Sequence, residues 1–173
     1  MINEIQGRAA LSLIASLVAV GCMSCDLTRT ELPAASYSRP PEASFTPSDY
    51  VFKLEQLASF YDVPGEFGHV MEGDRYGFDS LSLIITATHP GGGPPLHRHE
   101  TEEAHVLYEG TASYVIGDRR FTVTGPYVAR VPAGMPHTFV NVGDRVFHLV
   151  AIFPTGKTTY TELGMNPLVK GRE

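Results

Sequence analysis

Two histidines and a glutamate lie close together in the stretch GGGPPLHRHETEEAHVLYEG, residues 91–110, and their spacing suits metal binding. His97 and His99 are two residues apart, so in an extended strand both imidazoles point to the same face and can reach one point. Glu103 follows four residues after His99, and a bend between them would return its carboxylate to that point. Two nitrogens and one oxygen form a common ligand set for transition metals.

A fourth ligand has to come from another part of the chain, and His137 in the segment PAGMPHTFVN is the obvious candidate. The alternative is an exposed polar hairpin that carries two histidines by chance, which is the usual explanation of an isolated His-x-His pair. Glycine and proline residues on both sides of the pair favour the metal site.

The stretch resembles the first sequence motif of the cupin superfamily. That motif is a glycine, five residues, His-x-His, three or four residues, Glu, six residues and a glycine. Its fixed positions correspond here to Gly91, His97, His99, Glu103 and Gly110.

A later segment resembles the latter part of the second cupin motif, which ends in Pro-x-Gly, two residues, His, three residues and Asn. The matching residues are Pro132, Gly134, His137 and Asn141. The leading glycine would be Gly125, which is followed by six residues before Pro132 where the usual pattern has five. We therefore expect one extra residue in that turn.

The resemblance implies a cupin jelly-roll β-barrel over about the last 120 residues of the chain. It also implies one divalent transition metal ion (Fe, Mn, Ni, Co, Cu or Zn) held by His97, His99, Glu103 and His137, with positions left open for a small-molecule ligand. The absence of cysteine from this set argues against a closed structural zinc site. Many cupins pair through their sheets, so a homodimer is a further expectation from the resemblance.

His105 is the most informative residue outside the motifs, because it lies two residues after Glu103 and should face the same side of a strand. Three roles are open: it orients Glu103 or a water, it accepts a proton from substrate, or it is a buried histidine with a satisfied hydrogen bond. We therefore take His105 and Glu103 as the candidate catalytic residues. The positions of Tyr114 and His148 are not fixed by the sequence, although His148 is expected to be a packed strand residue.

Two classes of function remain open, and both require the metal. The resemblance implies either a metal-dependent enzyme or a non-catalytic protein that binds a sugar, a carboxylate or the metal itself. Among enzymes it implies quercetinase-like dioxygenases, isomerases and decarboxylases, and we favour a dioxygenase-like reaction on a small oxygenated molecule.

The N-terminal residues resemble a bacterial lipoprotein signal. One arginine is followed by an uncharged apolar run over residues 9–20 and then by the lipobox-like sequence Ala19-Val20-Gly21-Cys22. Cleavage after residue 21 would leave Cys22 as the acylated membrane anchor, with the chain exported and facing the periplasm or the cell exterior. The alternative is an uncleaved N-terminal anchor helix. Cys25 is then left without a partner for an internal disulfide.

The amino-acid composition changes along the chain and distinguishes a tether from a single domain. Residues 22–47 are rich in Thr, Ser, Ala and Pro and predict a flexible tether without regular elements, so the domain occupies residues 48–173. The formal charge is −6, and no basic run exceeds Arg119-Arg120. We therefore expect no nucleic-acid partner.

Short β-branched and aromatic runs separated by glycine-rich turns predict an all-β domain. We expect strands at residues 81–88, 101–108, 111–116, 120–124, 127–131, 138–141 and 146–153. Residues 48–61 predict a short strand that runs into a helical turn, and residues 62–80 predict a loop with one brief strand, with His69 at the surface.

Overall fold

The computed structural model describes residues 36–38, 50–62 and 65–169. The predicted signal segment 1–21, Cys22, Cys25 and most of the predicted tether lie outside these residues. The assignments made for them therefore stay predictions. No helix within the described ranges has the length and apolar character needed to cross a membrane.

The described residues form twelve strands, all paired antiparallel, and two short 3-10 turns at Leu54–Gln56 and Gly73–Arg75. The strands are β1 (Ser36–Ser38), β2 (Ala58–Asp62), β3 (Glu66–Met71), β4 (Ser82–Thr88), β5 (Leu96–Arg98), β6 (Glu103–Leu107), β7 (Thr111–Ile116), β8 (Arg119–Thr124), β9 (Tyr127–Val131), β10 (His137–Asn141), β11 (Phe147–Phe153) and β12 (Thr161–Gly164).

Two sheets enclose the core. The larger has the order β1-β2-β3-β4-β11-β6-β9, and the smaller has the order β12-β5-β10-β7-β8. Both sheets contribute buried apolar side chains to one cluster, including Leu107 and Leu149 from the larger sheet and Tyr114 and Phe139 from the smaller. Burial of these residues supplies the main stabilising free energy of the domain. The all-β prediction is confirmed.

All seven predicted strands are present, and their ends differ from the predicted ends by at most two residues. They correspond to β4 and to β6 through β11. In most of these strands buried and more exposed residues alternate, which is the pattern that made them recognisable.

The N-terminal part of the domain differs from its prediction in order and extent. In residues 48–61 the turn comes first, because the Gln56 side chain accepts a hydrogen bond from the Lys53 backbone N–H at 2.8 Å and closes it, and the strand β2 follows. The segment predicted mainly as loop contains the six-residue strand β3, which pairs with both β2 and β4. Strand β1 lies within the predicted tether, so the expectation of no regular element there is wrong at three residues.

Two histidines also depart from expectation. His69, predicted at the surface, is half-buried, and its ring meets Phe67 edge-on with centroids 5.0 Å apart. His148, predicted to be packed, is exposed because it faces outward from β11 between the buried residues Phe147 and Leu149. Neither residue lines the cavity described below.

Asn141 joins three backbone segments at the end of β10. Its Nδ2 donates to the carbonyl oxygens of Thr88 and Arg145 at 2.8 and 2.7 Å, and its Oδ1 accepts from Gly143 N–H at 2.9 Å. The side chain is 1% exposed, so water cannot replace these partners.

The substitution Asn141→Ala is expected to lower the free energy of unfolding by about 2 to 3 kcal/mol, because it leaves buried backbone groups without partners. Urea unfolding followed by circular dichroism measures the change. Thr124→Ala serves as the control, since it removes one exposed hydrogen bond of 3.0 Å with Thr111 and is expected to cost less than about 0.5 kcal/mol. Equal losses in the two variants would contradict the assignment.

Candidate metal centre

The loop before β5 brings the two halves of the site together. Gly91 N–H donates to the Asn141 carbonyl at 2.8 Å, and Asn141 N–H donates to the Gly92 carbonyl at 2.9 Å, so this loop runs along β10. At Gly93 a Cβ would lie 1.9 Å from the carbonyl oxygen of Phe139, so only glycine permits this approach.

The four predicted ligands lie on neighbouring strands. His97 is in β5 and faces His137, the first residue of β10, across the strand pair. His99 follows β5 directly, and Glu103 is the first residue of β6. All four are at most 6% exposed. The ligand nitrogens of the three histidines lie within 4.8 Å of one another, which is close enough for one ion.

Each of these histidines directs its Nδ1 at a backbone carbonyl oxygen. The accepting oxygens belong to Pro95 for His97 (2.8 Å), Met135 for His137 (3.0 Å) and Thr159 for His99. A carbonyl can only accept, so Nδ1 carries the proton and each Nε2 keeps its lone pair for a cation. Backbone oxygens in this position fix the tautomer and the orientation of a metal-binding imidazole.

Two buried atoms at the centre lack hydrogen-bond partners among the described residues. Glu103 Oε2 and His137 Nε2 lie 2.9 Å apart, but their alignment does not make a hydrogen bond. His99 Nε2 lies 3.7 Å from the same oxygen. Leaving buried polar atoms unpaired costs free energy, and a cation among these lone pairs would remove that cost. The residues present therefore fit a metal ion.

The charge states of the ligands also suit a cation. Burial, and then the neighbouring His137, lower the pKa of His97 to about 3. Burial lowers the pKa of His99 as well. Burial alone would raise the pKa of Glu103, but the interactions with His105 and His137 outweigh it and hold that pKa well below its ordinary value. Neutral imidazoles and an ionised carboxylate are the forms that bind metals.

His105 holds the second oxygen of Glu103. Its Nε2 donates to Glu103 Oε1 at 2.7 Å, and its Nδ1 lies 3.3 Å from the Tyr114 hydroxyl, which is 3.0 Å from the Tyr127 hydroxyl. In neutral His105 the proton on Nε2 makes Nδ1 the acceptor, so the chain of donors runs from Tyr127 through Tyr114 to His105. His105 is 2% exposed and thus faces inward with Glu103, as the alternation along β6 predicts.

His105 could in principle be a ligand, because its nitrogen lies within 4.8 Å of ligand atoms of Glu103 and His137. Both of its ring nitrogens are already in contact with neighbours, one with a carboxylate and one with a hydroxyl. That arrangement favours a residue that orients Glu103 over a residue that binds the ion.

The ligands open onto a cavity of about 50 Å³ between the two sheets. Apolar side chains form much of its wall: Phe60, Ile84, Pro94, Phe139 and Leu149. Tyr160 covers one side, with its ring stacked on that of His97 at 4.8 Å and 24°. The volume holds about four water molecules, so the cavity suits a small ligand.

Three cavity residues, Asp62, Glu66 and Tyr160, were not predicted from the sequence. Asp62 and Glu66 flank the sequence Val63-Pro64-Gly65, and Tyr160 lies among polar residues before β12. Nothing in their spacing relates them to the histidines. Phe60 and Asp62 are two residues apart in β2 and therefore face the same side of the strand. This spacing is the one signal that could have placed the aspartate on the inner face.

Comparison with known proteins gives a family match and a set of solved relatives. Residues 85–153, fewer than half of the chain, match the family model of the cupin domain. The Lactobacillus farciminis oxalate decarboxylase formate complex superposes with a TM-score of 0.62 at 21% identity, over 68% of this chain and 37% of that chain. The Bacillus subtilis oxalate decarboxylase at pH 4.6 superposes with a TM-score of 0.55 at 21% identity, over 59% of this chain and 28% of that chain.

The fold is the cupin β-barrel. A third solved structure, of the Bacillus subtilis oxalate decarboxylase with its Mn(II) centres, has a TM-score of 0.55 at 21% identity and covers 59% of this chain and 29% of that chain. The cupin barrel described here thus spans between 28% and 37% of the length of these three chains. At this identity the likeness shows the fold alone. A comparison with curated protein sequences gives no match.

Proposed function

We propose that the protein is a metal-dependent cupin enzyme acting on a small oxygenated organic molecule, with an oxygen-dependent, dioxygenase-like reaction favoured. The observation that supports it best is the two-sided position of Glu103. One carboxylate oxygen lies 2.9 Å from His137 Nε2 and 3.7 Å from His99 Nε2, and the other is hydrogen-bonded to buried His105 at 2.7 Å. A carboxylate that is oriented by a second buried titratable group suits a site in which that carboxylate exchanges a proton with substrate.

His97, His99, His137 and Glu103 would hold one divalent transition metal ion in this proposal. When bound, the ion supplies Lewis-acid and redox chemistry to an oxygen-containing substrate. Three imidazoles and one carboxylate accept several ions, so the donor set does not select one of them.

The chain's own residues would move one proton. The ionised Glu103 carboxylate is placed to accept the proton that leaves a substrate hydroxyl in the cavity. His105 already carries its Nε2 proton, so it stays neutral and orients the carboxylate by donating to Oε1. Tyr114 and Tyr127 continue this chain away from the cavity, and the Tyr114 hydroxyl fixes the His105 tautomer by donating toward Nδ1. The apolar wall, which includes Phe139 and Leu149, limits the water that can compete for the carboxylate.

Oxygen consumption tests this function. Metal-reconstituted protein is mixed with catechols, diketones and flavonols, and dissolved oxygen is followed with an electrode. We expect turnover to be highest with the smallest of these compounds, since the larger ones exceed the cavity of about 50 Å³. Chelator-treated protein and the His97→Ala variant are the controls. Tight, saturable binding without turnover for every compound would contradict the enzyme and favour the non-catalytic binding protein.

Decarboxylation and isomerisation are the remaining alternatives, and the assay separates them from oxygenation. The structural neighbours are oxalate decarboxylases, but their likeness carries only the fold. Product analysis under nitrogen detects carbon dioxide or an isomer without oxygen uptake. Such a product would replace the dioxygenase reaction while leaving the metal-dependent enzyme in place.

The N-terminal sequence extends the proposal to location. An acylated Cys22 would anchor the protein to a membrane from the periplasmic or outer side, and the tether would hold the barrel away from the lipid surface. The barrel would then receive its metal outside the cytoplasm, where metal availability differs. Pairing of two copies as a homodimer stays a prediction from the cupin resemblance.

A further inference from the structure

Two carboxyl groups outside the metal ligands face the same cavity. Asp62 ends β2 and Glu66 begins β3, and the two residues are direct partners across that strand pair. Both line the cavity together with His97, His99 and Glu103. Neither has a part in the proton transfer described above.

The surroundings of Glu66 show that an ionised carboxylate is unfavourable in this cavity. Glu66 is 2% exposed, and its hydrogen bond from Thr88 Oγ1 is long, at 3.5 Å. Burial, with a further contribution from Asp62, raises the pKa of Glu66 to about 8, so the carboxyl is mostly protonated at neutral pH. The same surroundings would oppose a second anion that enters beside it.

The rest of the cavity wall offers no compensating positive side chain. Among the described residues that line it there is neither lysine nor arginine. Burial and the neighbouring Glu162 raise the pKa of half-buried Asp62. A dicarboxylate would therefore add two charges to a wall that already carries carboxyl groups and lacks a protein cation to pair with them.

We propose that the cavity selects a small uncharged oxygen-containing molecule, and that Asp62 and Glu66 form an acidic wall that disfavours dicarboxylates. The protonated Glu66 carboxyl can donate a hydrogen bond to such a ligand, whereas it cannot neutralise a carboxylate. This inference rests on the proposed function, because it assigns the substrate class of the same site. It predicts that the chain differs in ligand preference from the oxalate decarboxylases whose fold it shares.

The test measures binding and does not depend on turnover. The full-length protein is loaded with cobalt(II), and its visible absorption spectrum is titrated with two probes of similar size, hydroxyacetone and oxalate. Cobalt content is measured again after each titration. The variants are Asp62→Asn combined with Glu66→Gln, which keeps side-chain shape and hydrogen-bond donors, and Asp118→Asn, which removes an exposed carboxylate from the turn between β7 and β8.

We expect the double variant to bind oxalate about tenfold more tightly than the wild type, as removal of the Asp62 carboxylate charge several ångströms away implies. Hydroxyacetone affinity should change by less than about threefold, and Asp118→Asn should match the wild type for both probes. Asp62→Asn alone should shift oxalate affinity in the same direction. If circular dichroism shows that the double variant is unfolded, Asp62→Asn alone provides the comparison of oxalate affinity with the wild type.

The outcomes separate the two levels of the proposal. Hydroxyacetone binding with no gain for oxalate in the variants, or an equal gain in Asp118→Asn, overturns the acidic wall and leaves the proposed function intact. A wild-type spectrum that responds to neither probe contradicts ligand binding at the metal, and both proposals fail together.

Discussion

Protein carrying His137→Ala is expected to retain less than a tenth of an equivalent of metal under conditions in which the wild type binds about one equivalent. The imidazole is fully buried, and its Nε2 lies 2.9 Å from Glu103 Oε2, so the substitution removes a ligand from the centre of the site. Loss of a ligand should cost at least about 100-fold in affinity, the upper range for loss of a supporting contact. Elemental analysis after reconstitution and dialysis measures the occupancy.

His148→Ala is the matched control for that experiment, because it removes a histidine that is exposed on β11 and does not line the cavity. It should bind metal as the wild type does. A second variant, His137→Gln, fills more of the space left by the ring and serves if His137→Ala does not fold. Thermal melting shows whether each variant is folded. Full metal occupancy in folded His137→Ala would show that the three histidines and Glu103 are not the ligand set.

His105→Ala is expected to keep the metal and to lose activity. The ring is hydrogen-bonded to Glu103 but is not needed to complete the ligand set, so metal content should stay above about half an equivalent. Removal of the donor that orients the Glu103 carboxylate should lower kcat by about 10- to 100-fold, as loss of such a supporting contact usually does. The measurement pairs elemental analysis with the oxygen-uptake assay on the same preparation.

The tyrosines behind His105 give a graded comparison. Tyr114→Phe keeps the buried ring but removes the hydroxyl that lies 3.3 Å from His105 Nδ1, and a smaller fall in kcat is expected. Tyr108→Phe is the control, since Tyr108 is 76% exposed. If His105→Ala loses its metal while it remains folded, His105 is a ligand and the proposed role is wrong. If kcat is unchanged, its role is structural.

The sequence contains enough information for the strands and for the ligand candidates, because both depend on local spacing. Alternation along β6 places Glu103 and His105 on one face, and the His-x-His spacing places His97 near His99. His137 was a candidate because the site needed a fourth ligand and because its segment resembles a motif, and no local spacing linked it to the other ligands. The register that sets it opposite His97 is a property of strand pairing across 40 residues of chain.

The parts that were missed or only partly predicted depend on contacts between distant segments. Strand β3 contains a glycine whose missing side chain is replaced by packing, since a Cβ on Gly68 would lie 2.3 Å from the Phe60 ring. No local pattern reveals that compensation. Strands β5 and β12 are three and four residues long and pair with each other, and so neither carries a recognisable run. Asp62 and Glu66 became neighbours only through the β2–β3 pairing.

The contact between Thr159 and His99 makes metal occupancy a measure of completed folding. Thr159 and Tyr160 come after all four ligands in chain order, yet one orients His99 and the other stacks on His97. The strand that follows them, β12, lies at the edge of its sheet and has β5 as its neighbour there. A chain in which this segment has not yet docked holds the ligands without their orientation and should release metal readily. The fraction of metal-loaded molecules in a preparation would therefore count the chains that have finished folding.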